Sequence, residues 1–149
     1  MQSRFIFIIL ALILGAILPI QANINARLAK ALDNPVMAAF ISFAVGTVAL
    51  FIYLVIANQF SFRGIVSPGT PWWIWIGGLL GVFFVAGIVV LVPRLGVALA
   101  FSLVIAGQMA AAIILDQFGL LGSAVREISP GRIAGALLLI AGVVLIRKF

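Results

Sequence analysis

The chain is 149 residues long, 66% hydrophobic and only 8% charged, against roughly half apolar and a quarter charged in a soluble domain. No soluble core absorbs that much apolar surface, and a mean hydropathy of +1.40 makes a bilayer the expected solvent, with no stretch left for a soluble domain. Nine Lys and Arg against three Asp and Glu give +6, and the chain has no Cys and no His, which removes disulfides, a thiolate nucleophile, the usual zinc sites and a His general base.

An enzyme is therefore not expected, nor is a metal or any other cofactor. The basic residues Arg4, Arg27, Lys30, Arg63, Arg94, Arg126, Arg132, Arg147 and Lys148 all stand at the ends of apolar runs. There they anchor helices among anionic headgroups, so lipid and not nucleic acid is the partner of this charge.

The apolar runs predict a single membrane domain over 1–149: an all-α bundle of five transmembrane helices, at about 5–28, 35–57, 71–92, 95–118 and 131–147. The first could pass for a secretory signal, but Ile20 occupies a position where cleavage after Ala22 needs a small residue, so a retained helix is expected. Asp33, Asn34 and Pro35 stop it and start the second, with Asn34 as cap and Pro35 in the first turn. Residues 58–70, with Arg63, Pro68 and Gly69, read as a loop. Thr70 and Pro71 open the third helix beside Trp72, Trp73 and Trp75, an interfacial aromatic belt. Val92-Pro93-Arg94 is expected to turn the chain into the fourth helix, which Gly119 caps. Ser129 and Pro130 repeat the cap-and-proline opening for the fifth.

On alternate sides of these five spans lie Arg4, Arg63, Arg126 and Arg132, and then Arg27, Lys30, Arg94, Arg147 and Lys148. Four against five leaves the positive-inside rule almost no bias. The count is met by chains inserted in both orientations, or by one orientation set by a partner or by the charges nearest the first helix.

Without water to expel, membrane helices associate through small residues and interhelical hydrogen bonds. Ala38, Ser42 and Gly46, Gly77 and Gly81, and Ala98, Ser102, Ala106 and Ala110 form such ladders. Gly135 and Gly142, seven residues apart, share one face of the fifth helix. The segment from Gly135 to Val143 resembles the last-helix stretch through which small multidrug resistance proteins form antiparallel dimers, which makes Gly135 and Gly142 candidate dimerisation residues.

Polar side chains inside the spans are few. Pro19 frees the carbonyl of Gly15, which either kinks the helix or leaves a coordinating oxygen. Gln21 and Asn25 follow on one face, with Asn23 opposite; they either bind a solute or cap an interfacial helix end. Gln108, deep in the fourth helix, needs a partner in protein or solute. With the hydroxyls of Ser42 and Ser102, these form the candidate substrate pathway. Asp116 ends the fourth helix, where the dipole opposes its charge. It either forms an ion pair, with Arg126 or Arg132 of the same chain or Arg94 or Arg27 of a partner, or couples transport to a proton or cation.

Leu18-Pro19-Ile20-Gln21-Ala22-Asn23-Ile24-Asn25-Ala26-Arg27-Leu28, Pro71-Trp72-Trp73, Val92-Pro93-Arg94-Leu95-Gly96, Gly107-Gln108 and Asp116-Gln117-Phe118-Gly119 together resemble the YdcZ family of inner-membrane exporters, within the drug/metabolite transporter superfamily. The likeness runs over nearly the whole chain. It implies a multi-pass protein of the bacterial inner membrane, equivalent to half of a ten-helix drug/metabolite transporter. The second half would come from another copy or a paired homologue in opposite orientation. The small multidrug proteins carry a glutamate in their first helix; this chain has no acid there.

The expected function is a secondary transporter exporting small organic or cationic compounds as an antiparallel dimer. The alternatives are a non-transporting subunit or assembly factor of a larger complex, or an uncoupled channel, although no ring of like charges or repeated filter sequence is present.

Overall fold

Local capping chemistry sets most of the helix ends in the computed structural model, which describes residues 2–61 and 71–149. Five α-helices follow one another: α1 (Gln2–Leu32), α2 (Pro35–Ile56), α3 (Gly77–Leu95), α4 (Val97–Phe118) and α5 (Pro130–Lys148), with short 3₁₀ turns at Trp72–Ile76 and Leu120–Gly122. All five are long and apolar enough to cross a membrane; the shortest, at 19 residues, reaches about 28 Å at 1.5 Å per residue, close to the thickness of the hydrocarbon core. The chain is an all-α membrane protein of five spanning helices.

Its residues gather into two compact units, Met1–Pro93 and Arg94–Phe149. In the first, α1 passes to α2 through only Asp33 and Asn34. Asp33 takes a positive φ of 50°, and the Asn34 amide donates back to the Ala29 carbonyl at 3.1 Å, closing a Schellman-type end. Asn34 then caps α2, its side chain accepting from the Met37 amide at 3.0 Å, with Pro35 in the first turn. Of the small-residue ladders expected to bring helices close, Ala38 does so: it is buried in α2 beside Ala39 and meets Ala29 of α1 and Val89 of α3 in one core flanked by Leu28 and Val85, whereas Gly46 and Gly77 face open space and Ala98 and Ala110 are exposed. Gly81 of α3 faces Phe43 of α2, near enough that a Cβ there would touch the ring at 3.4 Å.

The far end of α2 closes in a second left-handed residue, Asn58 (φ 52°), with the Gln59 amide donating to Leu54 and Phe60 packed edge-on against Phe51 at 5.1 Å. Most of the expected loop, including Arg63, Pro68, Gly69 and Thr70, lies outside the described residues. Pro71 is extended (φ −65°, ψ 139°) and precedes a 3₁₀ turn that carries all three tryptophans before α3 begins at Gly77. The expected helix start at residue 71 therefore becomes a turn and then a helix.

The end of α3 also differs from expectation. The helix runs through Pro93 to Leu95, and the break falls at Gly96 (φ 79°). A proline in the last turn removes one amide donor and leaves the following helical dihedrals open, whereas a φ near 80° is a glycine conformation.

In the second unit, α4 packs against α5. Gly119 ends α4 in the left-handed region (φ 59°, ψ 30°) with its amide on the Leu115 carbonyl, as a C-cap glycine does. Ser129 caps α5, accepting from the Arg132 amide at 3.3 Å, with Pro130 at its first position.

Candidate functional site

The polar cluster of α1 opens on a groove beside α2. Residues three, four and seven apart share a helix face, so α1 presents Ile17, Ile20, Gln21, Ile24, Asn25 and Leu28 together, and α2 adds Ile41, Ser42 and Val45. They bound a cavity of about 380 Å³, within the usual size of small-molecule sites. Asn25 is buried, 5% exposed, and its side-chain amide donates to the Ser42 hydroxyl oxygen at 3.2 Å. This interhelical bond satisfies an amide that would otherwise be costly in hydrocarbon. It leaves the Asn25 carbonyl oxygen and the Ser42 hydroxyl proton available to a solute. Gln21 stands one turn before Asn25, exposed on the same face. A smaller cavity of about 220 Å³ shares Gln21 and Ser42 and adds Phe43, Gly46, Thr47 and Leu50.

Three of the residues singled out in the sequence, Gln21, Asn25 and Ser42, thus meet in one place. Pro19 lies within the unbroken α1, between the lining residues Ile17 and Ile20, and does not itself line the groove. Asn23 is exposed and stays outside the lining. Ser102 donates to the Ala98 carbonyl one turn earlier at 2.7 Å, so its proton is held by its own helix. Gln108 is exposed on α4, at the midpoint of Val97–Phe118.

Asp116 forms an ion pair with Arg132, Oδ2 to Nη2 at 2.5 Å, with both side chains about 30% exposed. The other guanidinium nitrogen of Arg132 donates to the Arg126 carbonyl at 2.9 Å, and the Arg126 amide donates to the Asp116 carbonyl at 2.8 Å. Gln117 completes the knot by accepting the Ile128 amide at 2.6 Å. The pairing is one of those the sequence offered, and it ties the α4–α5 connection shut. On α5, Gly135 and Gly142 meet open space within the chain: a Cβ on either would touch nothing within 4 Å.

The aliphatic wall of the groove, Thr47, and the carbonyl and amide groups of the Arg126 knot carry no local signal in the sequence. The spacing of Ser42 four residues after Ala38 was the usable signal for the second helix. Among the described residues no group of three His, Cys, Asp or Glu side chains could hold a metal ion.

The family described as "Putative inner membrane exporter, YdcZ" matches residues 6–145. The chain is 28% identical over 134 residues to the inner membrane protein YdcZ of Escherichia coli strain K12, covering 90% of this chain and 89% of that protein. No solved structure matches it. A match over nearly the full length, on a chain whose five helices are each long and apolar enough to cross a membrane, shows that the chain belongs to the YdcZ family, described as inner membrane exporters.

Proposed function

We propose that the protein is a secondary transporter that exports small organic compounds across the inner membrane, built from two copies, or one copy and a paired homologue, in opposite orientations. The observation that carries this reading is the α1–α2 groove. It is a cavity of small-molecule size, within the span, in which an intramembrane amide and a hydroxyl face an aliphatic wall. Polar side chains held at membrane depth mark solute pathways.

The inverted pair is supported by three features. The charge count is nearly equal on the two sides of the spans. In the second unit α5 has no buried residue although α4 packs against it. And Gln108 is exposed halfway along a spanning helix, where a second unit or a bound solute would satisfy its amide. Inverted repeats with a midplane site are a recurring architecture of secondary transporters.

Saturable solute flux in proteoliposomes, reduced at least tenfold by Asn25→Leu, is the expected result. A chain that gives no flux with any solute and purifies in fixed ratio with a larger complex would instead be a subunit of that complex.

A further inference from the structure

We propose that the α1–α2 groove selects uncharged amphiphiles, solutes that are mostly apolar and carry one group able both to donate and to accept a hydrogen bond. This rests on the transporter reading and narrows it, setting the groove against organic cations. Six of the nine lining side chains are aliphatic, and the other three, Gln21, Asn25 and Ser42, are neutral. None of the chain's three acids, Asp33, Asp116 and Glu127, lines it. A cation drawn from water into this groove would lose its hydration and meet no opposite charge, and an uncompensated ion in a low-dielectric site is strongly disfavoured. An anion fares no better, because among the described residues no Lys or Arg lines the groove either.

The polar atoms match a neutral partner. One N–H of the Asn25 amide goes to Ser42, so Asn25 offers its carbonyl oxygen as acceptor and its second N–H as donor, and Ser42 its hydroxyl proton. The Gln21 amide, one turn away, can supply either. An alcohol, a primary or secondary amide, or an amine in its neutral form satisfies such a set. An apolar body then replaces lipid or water against Ile17, Ile24 and Val45.

The test measures binding separately from transport. The full-length protein in nanodiscs is titrated with N-phenyl-1-naphthylamine, a neutral fluorescent amine, with empty nanodiscs as reference and tetraphenylphosphonium as competitor. Saturable binding above the reference, with no displacement by the cation, is expected. Val45→Trp, which fills the groove, and Gln21→Leu, which removes a polar partner without adding bulk, should each weaken binding at least tenfold, while Ile56→Trp, exposed at the far end of α2 and outside the groove, leaves it unchanged. Asn25→Asp, whose carboxylate can accept from Ser42, should make tetraphenylphosphonium an effective competitor.

Binding no different from empty nanodiscs, displacement by the cation in the unsubstituted protein, or saturable binding indifferent to both Val45→Trp and Gln21→Leu would each overturn the assignment. Flux of a cation without binding of the neutral amine would refute this inference and leave the transporter reading standing. Binding of the amine without any flux would do the reverse.

Discussion

Arg132 illustrates how much one side chain fixes in a protein with little water around it. Its two terminal nitrogens reach two different acceptors, the Asp116 carboxylate and the Arg126 carbonyl, a reach that a planar fork makes possible and a lysine ammonium does not reproduce. Arg132→Lys is therefore expected to behave much like Arg132→Ala, each lowering stability by about 1 kcal/mol, a magnitude set by the partial exposure of the pair. Thermal unfolding in detergent measures it; full recovery with lysine would show that charge alone matters. Asp116→Asn should fall in the same range and leave solute flux intact. Loss of proton-linked flux at unchanged stability would give Asp116 a coupling role instead.

At the scale of elements, the glycine that closes α4 is constrained twice. Its φ of 59° is costly for any residue with a Cβ, and a Cβ would lie 2.8 Å from the Val125 side chain. Left-handed dihedrals alone cost about 1–2 kcal/mol, so Gly119→Ala should exceed that, and adding Val125→Ala should recover only the steric part. Gly122 has a φ of 82° but open space around it, so Gly122→Ala should show the dihedral cost alone. Unfolding midpoints of the three variants separate the two contributions, and equal losses at both glycines would contradict the contact.

The same element scale shows what was legible beforehand and why. Asn34-Pro35 and Ser129-Pro130 announced their helices correctly because capping is a contact between neighbours in sequence. Pro93 misled because a proline near a helix end is compatible with one more turn, and only the dihedrals at Gly96 locate the break. The spacing of Gln21 and Asn25 identified one wall of the groove. Of its opposite wall only Ser42 was readable, since nothing in a chain rich in isoleucine distinguishes Ile41 from the many aliphatic side chains that face outward.

For the whole molecule, the proposed inverted pair makes a prediction that needs no substrate. The natural chain has no cysteine, so single cysteines report cleanly. Leu138, 73% exposed near the middle of α5, and Phe149, 95% exposed at its end, behave differently in the two possible symmetries. With α5 joining inverted copies, Leu138→Cys should cross-link to its own copy through a short reagent and Phe149→Cys should not. Cross-linking at both positions would mean parallel copies. Replacing both Gly135 and Gly142 by leucine fills the open stripe and should abolish the Leu138→Cys product while each chain remains folded. Labelling of Phe149→Cys from both sides of the membrane checks orientation independently, and labelling from one side only would refute the dual arrangement.

The bond from Asn25 to Ser42 bears on biogenesis as well. On its own, α1 would present Gln21, Asn23 and Asn25 to lipid as it left the translocon, an unfavourable transfer for a solitary segment. With only Asp33 and Asn34 between them, α1 and α2 can cross as a preassembled hairpin, the serine shielding the asparagine from the first moment in the membrane. Ser42→Val should then lower the yield of inserted protein, as counted by membrane-fraction immunoblot, more than it lowers the stability of the molecules that do insert.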